Sequence, residues 1–165
     1  MSLPPWLHEE APLVAQKLLG CKLLINNHSA VVTETEAYRG SDDPASHAFK
    51  GVTPRNAIMF DRPGLLYVYM IYGIHHCLNI TCEPSGSPAA VLIRGLKLNN
   101  GIILDGPGKV CRHLDLKRSD TGRILNQTNC LQISDRIEIP AYKATPRIGI
   151  KAGQEKLWRY LVTKH

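Results

Sequence analysis

Residues 65–82 read LLYVYMIYGIHHCLNITC. The first seven are apolar or aromatic, the residue types that favour a pleated, half-buried surface, and Tyr72-Gly73 offers a turn before a second strand over 74–82. A further turn, Pro84-Ser85-Gly86-Ser87-Pro88, leads into a third strand over 90–96. Toward the N-terminus, residues 21–25 and 30–38 read as a hairpin with Asn26-Asn27-His28 at its turn. An amphipathic helix over 11–19 precedes it, with Pro12 near its first turn and Gly20 as a stop. Toward the C-terminus, Gly106-Pro107-Gly108 opens a helix over 109–114, and short strands are expected around 131–133, 136–139 and 147–150. Residues 154–161 fit a helix or a strand equally well. Residues 39–63, punctuated by Gly40, Pro44, Gly51, Pro54 and Pro63, read as a long irregular excursion, and such a loop inside a compact domain is more often functional than idle. Strands following strands with helices at the margins predict an α+β fold, one domain over 1–165 built on an antiparallel sheet.

Composition sets the outer limits. The 165 residues are 44% hydrophobic and 21% charged, ordinary globular usage that argues against disorder. No stretch approaches the ~20 apolar residues of a membrane span, and Met1-Ser2-Leu3-Pro4-Pro5-Trp6 lacks the pattern of a secretory signal. Five irregularly spaced cysteines without a C-x-x-C pair argue against a disulfide framework and a zinc knuckle. They fit an intracellular setting, cytoplasm and nucleoid or nucleus. Residues 1–90 carry six basic and eight acidic side chains, whereas residues 91–165 carry fourteen and six. A basic half beside a weakly acidic one suggests a polyanion on one face.

Several polar residues sit where strands should be apolar. Alternation puts Val32, Glu34, Glu36 and Tyr38 on one face of the second strand and Val31, Thr33, Thr35 and Ala37 on the other. Carboxylates within a strand mean either a solvated edge or a site. Six of the ten aromatics, Tyr38, Phe49, Phe60, Tyr67, Tyr69 and Tyr72, fall between residues 38 and 72. Phe60 and Tyr67 fit a core as well as a pocket. Tyr72, beside the turn glycine Gly73, should project, as a wedge between bases does, while pocket tyrosines can stack an extruded base. Asn79 interrupts an apolar strand, and Arg94 ends the run Val91-Leu92-Ile93. A guanidinium there either reaches solvent or needs an anion, for which Glu36 is the candidate, the two holding a water between them. His47 reads equally as a solvated loop histidine. His75 and His76 alternate faces and suit no shared metal. Gly106, Gly108 and Lys109 are either an ordinary turn or a phosphate seat at a helix N-terminus, without P-loop spacing.

An ordered set of motifs spans residues 15–159: Val32-Thr33-Glu34-Thr35-Glu36-Ala37-Tyr38, His47, Thr53-Pro54-Arg55-Asn56, Met59-Phe60, Pro63-Gly64, Tyr67-Val68-Tyr69-Met70-Ile71-Tyr72-Gly73, Asn79-Ile80, Val91-Leu92-Ile93-Arg94 and Gly106-Pro107-Gly108-Lys109. Together they resemble the alkyladenine (3-methyladenine) DNA glycosylase family. The resemblance implies a single α+β domain with a curved antiparallel sheet, like the C-terminal domain of formyltransferases, and no metal or cofactor. It implies a monomer acting on double-stranded DNA containing damaged purines, with no membrane partner. Glu36 would be the general base and Arg94 would help hold the attacking water. Tyr38 would stack on one side of the flipped base, with His47 and Tyr69 on the other. Asn79 would crowd the 2-amino group of guanine at the pocket floor, and Tyr72 would fill the gap in the duplex.

The implied activity is hydrolytic excision of alkylated or deaminated purines, namely 3-methyladenine, 7-methylguanine, hypoxanthine and ethenoadenine. This would initiate base excision repair. No lysine takes the place of Glu36, in keeping with a monofunctional enzyme. Three departures from the family pattern stand out: a short stretch between Leu96 and Gly106, the pair His75-His76 beside the wedge, and an end at His165 soon after Trp158-Arg159-Tyr160. The last predicts that one backbone contact at the water site is absent or supplied differently. Two further readings therefore stand beside the enzyme: a non-catalytic module binding damaged DNA, and a hydrolase of free nucleosides.

Overall fold

The computed structural model describes residues 2–40 and 42–165. Helix α1 (Ala11–Leu18) buries Ala11, Val14, Ala15 and Leu18, the spacing of one apolar stripe. The Glu83 carboxylate caps it from outside by accepting the Ala11 amide at 2.9 Å. Strands β1 (Lys22–Ile25) and β2 (His28–Arg39) form the first hairpin. Asn26 and Asn27 both take positive φ, 47° and 68°, as a tight two-residue turn requires. His28, expected in the turn, instead starts β2 opposite Ile25. Strands β3 (Leu66–Ile71), β4 (His75–Thr81) and β5 (Ala89–Leu98) follow as an antiparallel meander. Strand β6 (Ile103–Asp105) folds back on β5 and delivers the chain into α2 (Pro107–Leu114).

Strands β7 (Gln132–Ser134), β8 (Tyr142–Thr145) and β9 (Arg159–Val162) complete an antiparallel sheet of nine strands among the described residues. Its order is β3-β4-β5-β2-β1-β7, with β6 beside β5 and β9 between β2 and β8. Two short strands expected from sequence do not form. In 136–139, Ile137 and Ile139 stand in solvent, while Arg136 turns back to donate to the Gln16 and Leu19 carbonyls at the end of α1. In 147–150, Gly149 takes φ 75° and Arg147 is drawn inward, so pairing with β9 falls upstream at β8. The ambiguous segment 154–161 becomes extended only at its end, in β9. All five cysteines are free and buried, and burial pushes the Cys21 thiol up to about 11 and Cys111 to about 12.

Register between β2 and β5 decides which side chains meet. Val32 faces Leu96, Glu34 faces Gly95 and Thr35 faces Ile93. Each strand therefore carries one extra residue, Thr33 in β2 and Arg94 in β5, and strict alternation breaks there. Val32, expected on the face of Glu34, Glu36 and Tyr38, lies instead in the main core with Ala30 and Ala37. Beyond the bulge Glu36 and Tyr38 line the opposite face. Gly95 fits this close approach because a Cβ there would stand 2.8 Å from Thr33 Oγ1 and 2.9 Å from Glu34 Cβ.

The sheet thus has two unlike faces. On one, Leu66, Val68, Leu78, Ile80, Val91 and Ile93 pack with the buried stripes of both helices. The other bears a small cluster of Ala48, Met59, Tyr67 and Ala90, roofed in part by the 39–63 excursion and by the turn at 146–152.

A buried ion pair fastens those two irregular segments together. Arg147 donates to both Asp43 oxygens at 2.6 and 2.8 Å and to the Ala37 carbonyl of β2 at 2.9 Å. Its guanidinium lies over the rings of Tyr38 and Trp158. Asp43 also accepts the amides of Arg39 and Ala45, so both its oxygens are fully used. Neither side chain has any exposure. Asp43→Asn leaves a buried guanidinium without its counter-charge and should cost about 3–5 kcal/mol of stability. Urea denaturation checks this, and an unchanged midpoint would mean the pair is not holding the two segments.

Candidate active site

On the face away from the helices lies a cleft of about 600 Å³, within the usual range for a site that encloses a small molecule. Four strands furnish its walls through alternate residues: Glu36 and Tyr38 from β2, Tyr67 and Tyr69 from β3, Asn79 from β4 and Arg94 from β5. His47 and Pro44 of the excursion close one side, and Ile148 and Ile150 of the 146–152 turn close another.

Glu36 is the carboxylate of this cleft, and it has no exposure to bulk solvent. Its Oε1 accepts the Tyr38 hydroxyl at 2.7 Å, and its Oε2 accepts the Ile148 amide at 2.7 Å. Burial pushes the carboxyl above its ordinary value, opposed by the Ile148 amide, the Arg94 charge and the Tyr38 hydroxyl. Arg94 approaches Glu36 only to 3.9 Å. The partner expected from sequence is therefore not its closest anion, because the bulges turn Arg94 Nε toward Glu34, 3.0 Å away. Arg159 Nε reaches the same Glu34 oxygen at 2.6 Å.

Among the described residues, Glu36 is the one carboxylate of the lining, which also carries Arg94 and Lys151, and much of the remaining wall is made of neutral aromatic rings. Burial raises the pKa of Tyr38 and Tyr69, so both keep their protons. Burial, with help from Arg55, lowers that of His47. His47 Nδ1 shares a hydrogen bond with the Tyr67 hydroxyl at 3.0 Å, and its ring meets Tyr69 edge-on at 4.6 Å. Asn56 holds that loop by donating to the His47 and Gly51 carbonyls. Asn79 is buried and donates to the Tyr67 and Cys77 carbonyls at 3.2 and 3.4 Å, which fixes its amide at the base of the cleft. Neutral π faces around a carboxylate suit a flat cationic guest.

At the mouth, the loop between Ile71 and His75 holds Tyr72 at φ 53° and Gly73 at φ 69°. Positive φ is strained for a bulky residue, yet Tyr72 is 88% exposed and Ile74 beside it 71%. Gly106, Gly108 and Lys109 stand apart from the cleft lining, which in that region is formed by Pro107. Lys109 is ion-paired with Asp105 at 2.5 Å, and the Gly106 amide donates to the Arg94 carbonyl. Gly108 is backed by His75, since a Cβ there would stand 2.9 Å from its Nδ1. No group of three or more His, Cys, Asp or Glu among the described residues could hold a metal ion.

The structure thus gathers Glu36, Tyr38, His47, Tyr69, Tyr72, Asn79 and Arg94 around one cleft. Sequence reasoning did not single out Asp43, Arg147, Arg159 or the Ile148 amide. Arg147 carried a usable signal, a lone guanidinium before the apolar Ile148-Gly149-Ile150, the pattern that drew attention to Arg94. The backbone group facing the Glu36 carboxylate comes from Ile148, upstream of Trp158-Arg159-Tyr160, whereas the shortfall was expected in the stretch that follows them.

Comparison with known proteins gives one consistent result. The model of the family described as Methylpurine-DNA glycosylase (MPG) matches residues 5–165. A protein of Ehrlichia chaffeensis is 47% identical over 161 residues, covering 94% of this chain and 89% of its own length. One from Sodalis glossinidius is 48% identical over 149 residues, covering 89% and 88%. A third, from Wolbachia pipientis wMel, is 47% identical over 161 residues, covering 96% and 89%. Each of the three bears the name "Putative 3-methyladenine DNA glycosylase". Matched by the family's model over nearly its whole length, the chain belongs to the methylpurine-DNA glycosylase family.

Proposed function

We propose that this chain is a monofunctional DNA N-glycosylase that draws an alkylated or deaminated purine out of double-stranded DNA into the cleft and hydrolyses its N-glycosidic bond. Such a step begins base excision repair, inside the cell, and is carried out by one copy of the chain without metal or cofactor. The observation that carries this reading is the enclosed Glu36 carboxylate, held by Tyr38 and Ile148 at the wall of an aromatic cleft.

The chemistry follows from those positions. The bond from the sugar C1′ to the base nitrogen breaks through an oxocarbenium-like state, and the departing base keeps the electron pair. Glu36 takes one proton from a water whose oxygen bonds to C1′, and its negative charge favours the cationic sugar beside it. Arg94 orients that water from the other side. A base methylated at N3 or N7 is already cationic and leaves as a neutral molecule, whereas hypoxanthine must also gain a proton. Tyr38 on one side and His47 with Tyr69 on the other stack the flipped ring, and each cation–π contact is worth ~0.5–2 kcal/mol. Asn79 at the cleft floor crowds the 2-amino group of guanine, so that guanine is excised only when N7 methylation has already made it a good leaving group. Extrusion costs a few kcal/mol, least for a damaged pair, which adds selectivity.

Tyr72 fills the space the nucleotide vacates. The strained conformation that projects its ring supports that role. Gly108 and Lys109 contribute at the phosphate backbone, Gly106 shaping the turn that leads to them because its own amide already donates to the Arg94 carbonyl, and the Asp105–Lys109 pair opens when DNA arrives. Affinity should then fall as salt rises.

On a duplex holding one hypoxanthine or ethenoadenine, the wild-type chain should release the free base, and Glu36→Gln should slow release by about 10²- to 10⁴-fold. Equal rates would contradict the mechanism. Tight binding to the lesion with no release by the wild type would leave a non-catalytic damage-recognition module instead. Tyr72→Ala should weaken binding to the same duplex by about 1–3 kcal/mol, the range for loss of one aromatic–base stack, in a fluorescence-anisotropy titration. Unchanged affinity there would remove the wedge.

A further inference from the structure

We propose that Glu34 is a positioning residue that holds the Arg94 guanidinium back from Glu36, so that Glu36 stays a free base and Arg94 stays free to face the cleft. The inference rests on the reading of Glu36 as the base. It concerns a second carboxylate that is not itself part of the cleft lining.

Three observations carry it. First, Arg94 Nε lies 3.0 Å from Glu34 Oε2 but 3.9 Å from Glu36 Oε2, although both carboxylates are within the length of its side chain. Second, the geometry is built in: the extra residues Thr33 and Arg94 lie on either side of the Glu34–Gly95 pair, and Gly95 leaves no room for a side chain against Glu34 Cβ. Third, Arg159 Nε donates to that same Oε2 at 2.6 Å, while its Nη1 donates to Thr145 on β8 at 3.1 Å. Glu34 is therefore fixed from β9 and β8 before it engages Arg94. Its side chain is 8% exposed, so water competes weakly for these contacts.

The consequence is electrostatic. An isolated arginine beside Glu36 would pair with it directly, occupy an oxygen that must take the water proton, and weaken the base. Glu34 supplies a nearer anion, and Arg159 offsets the extra negative charge. The charged groups around Glu36 are Glu34 on β2, Arg94 on β5, Arg159 opposite it on β9, and Arg147, which stacks on Tyr38, while Lys151 of the 146–152 turn and His47 of the excursion line the same cleft. Tyr38, Tyr69 of β3 and Cys77 of β4 also face it, each with a raised pKa and hence neutral. Removing Glu34 takes away a repelling charge and releases two guanidinium groups toward Glu36. Both changes favour its ionised form.

The test is a ¹³C NMR titration of the Glu36 carboxyl, assigned with Glu36→Gln, in the wild type and in folded Glu34→Gln. The midpoint should fall by about one pH unit in the variant, the size expected when an opposite charge moves within contact distance. Single-turnover base release in the pH-independent range should slow by about three- to tenfold as the base weakens. Loss of the Glu34 charge lowers the midpoint even if Arg94 does not move, so Glu34→Asp, which keeps the charge but draws it back from Arg94, decides the positioning role. Its midpoint should also fall, and an unmoved or raised midpoint there overturns the proposal. Should Glu34→Gln not fold, the Glu34→Asp titration carries the test by itself, with a fall smaller than about one pH unit expected. If the wild type released no base, the reading of the cleft as a glycosylase site would fail, while the titration would still decide the role of Glu34.

Discussion

The structure turns on the problem of keeping a carboxylate in the middle of a sheet with no solvent around it. Burying an unpaired charge is expensive, and such a group ordinarily takes up a proton or acquires partners. Glu36 acquires partners both near and far in sequence: the Tyr38 hydroxyl two residues along its own strand, the Ile148 amide from a turn more than a hundred residues later, and the charge of Arg94 from the neighbouring strand. These contacts only partly offset desolvation, so the carboxyl remains more basic than one in water. That is the direction a general base needs.

Much of the rest of the fold can be read as what this arrangement requires. The helices and the larger apolar cluster occupy one face, leaving the other for polar and aromatic groups without mixing the two. The Ile148 amide can reach Glu36 only because the 146–152 turn is pulled down on the sheet, and the Asp43–Arg147 pair does the pulling. The same pair draws in Pro44 and Ala45, so one buried interaction positions two walls of the cleft. Glu34 and Arg159 extend the pattern, since a guanidinium is useful beside a base only if another anion restrains it.

Elements set by local periodicity were legible in the sequence. The stripe of α1, the turn at Asn26-Asn27 and the meander through Tyr72-Gly73 each follow from spacing within about ten residues. Glu36, Asn79 and Arg94 emerged as chemical exceptions, polar or charged groups where strand residues should be apolar, the tyrosines from the clustering of aromatics, and His47 only from the family resemblance; the structure gathers Glu36, Tyr38, His47, Tyr69, Tyr72, Asn79 and Arg94 about one cleft. What alternation could not supply was the bulged register. One extra residue in each of two strands moves Val32 to the core and turns Arg94 toward Glu34. The Asp43–Arg147 pair joins residues 104 apart in sequence, and no local pattern connects them. The short strands expected at 136–139 and 147–150 had suitable side chains, but arginines within each segment were claimed by distant acceptors.

The most direct test of Glu36 as the base is the pH dependence of single-turnover release of 7-methylguanine from a defined duplex. That base carries a fixed positive charge and needs no proton to leave, so ionisation of the catalytic carboxyl alone should shape the acid side of the profile. Because burial raises the Glu36 pKa, the rate should decline as pH falls through a midpoint above the ordinary carboxylate range and level off above it. A rate that stays flat across that range, with the protein still folded by circular dichroism, would contradict Glu36 as the base.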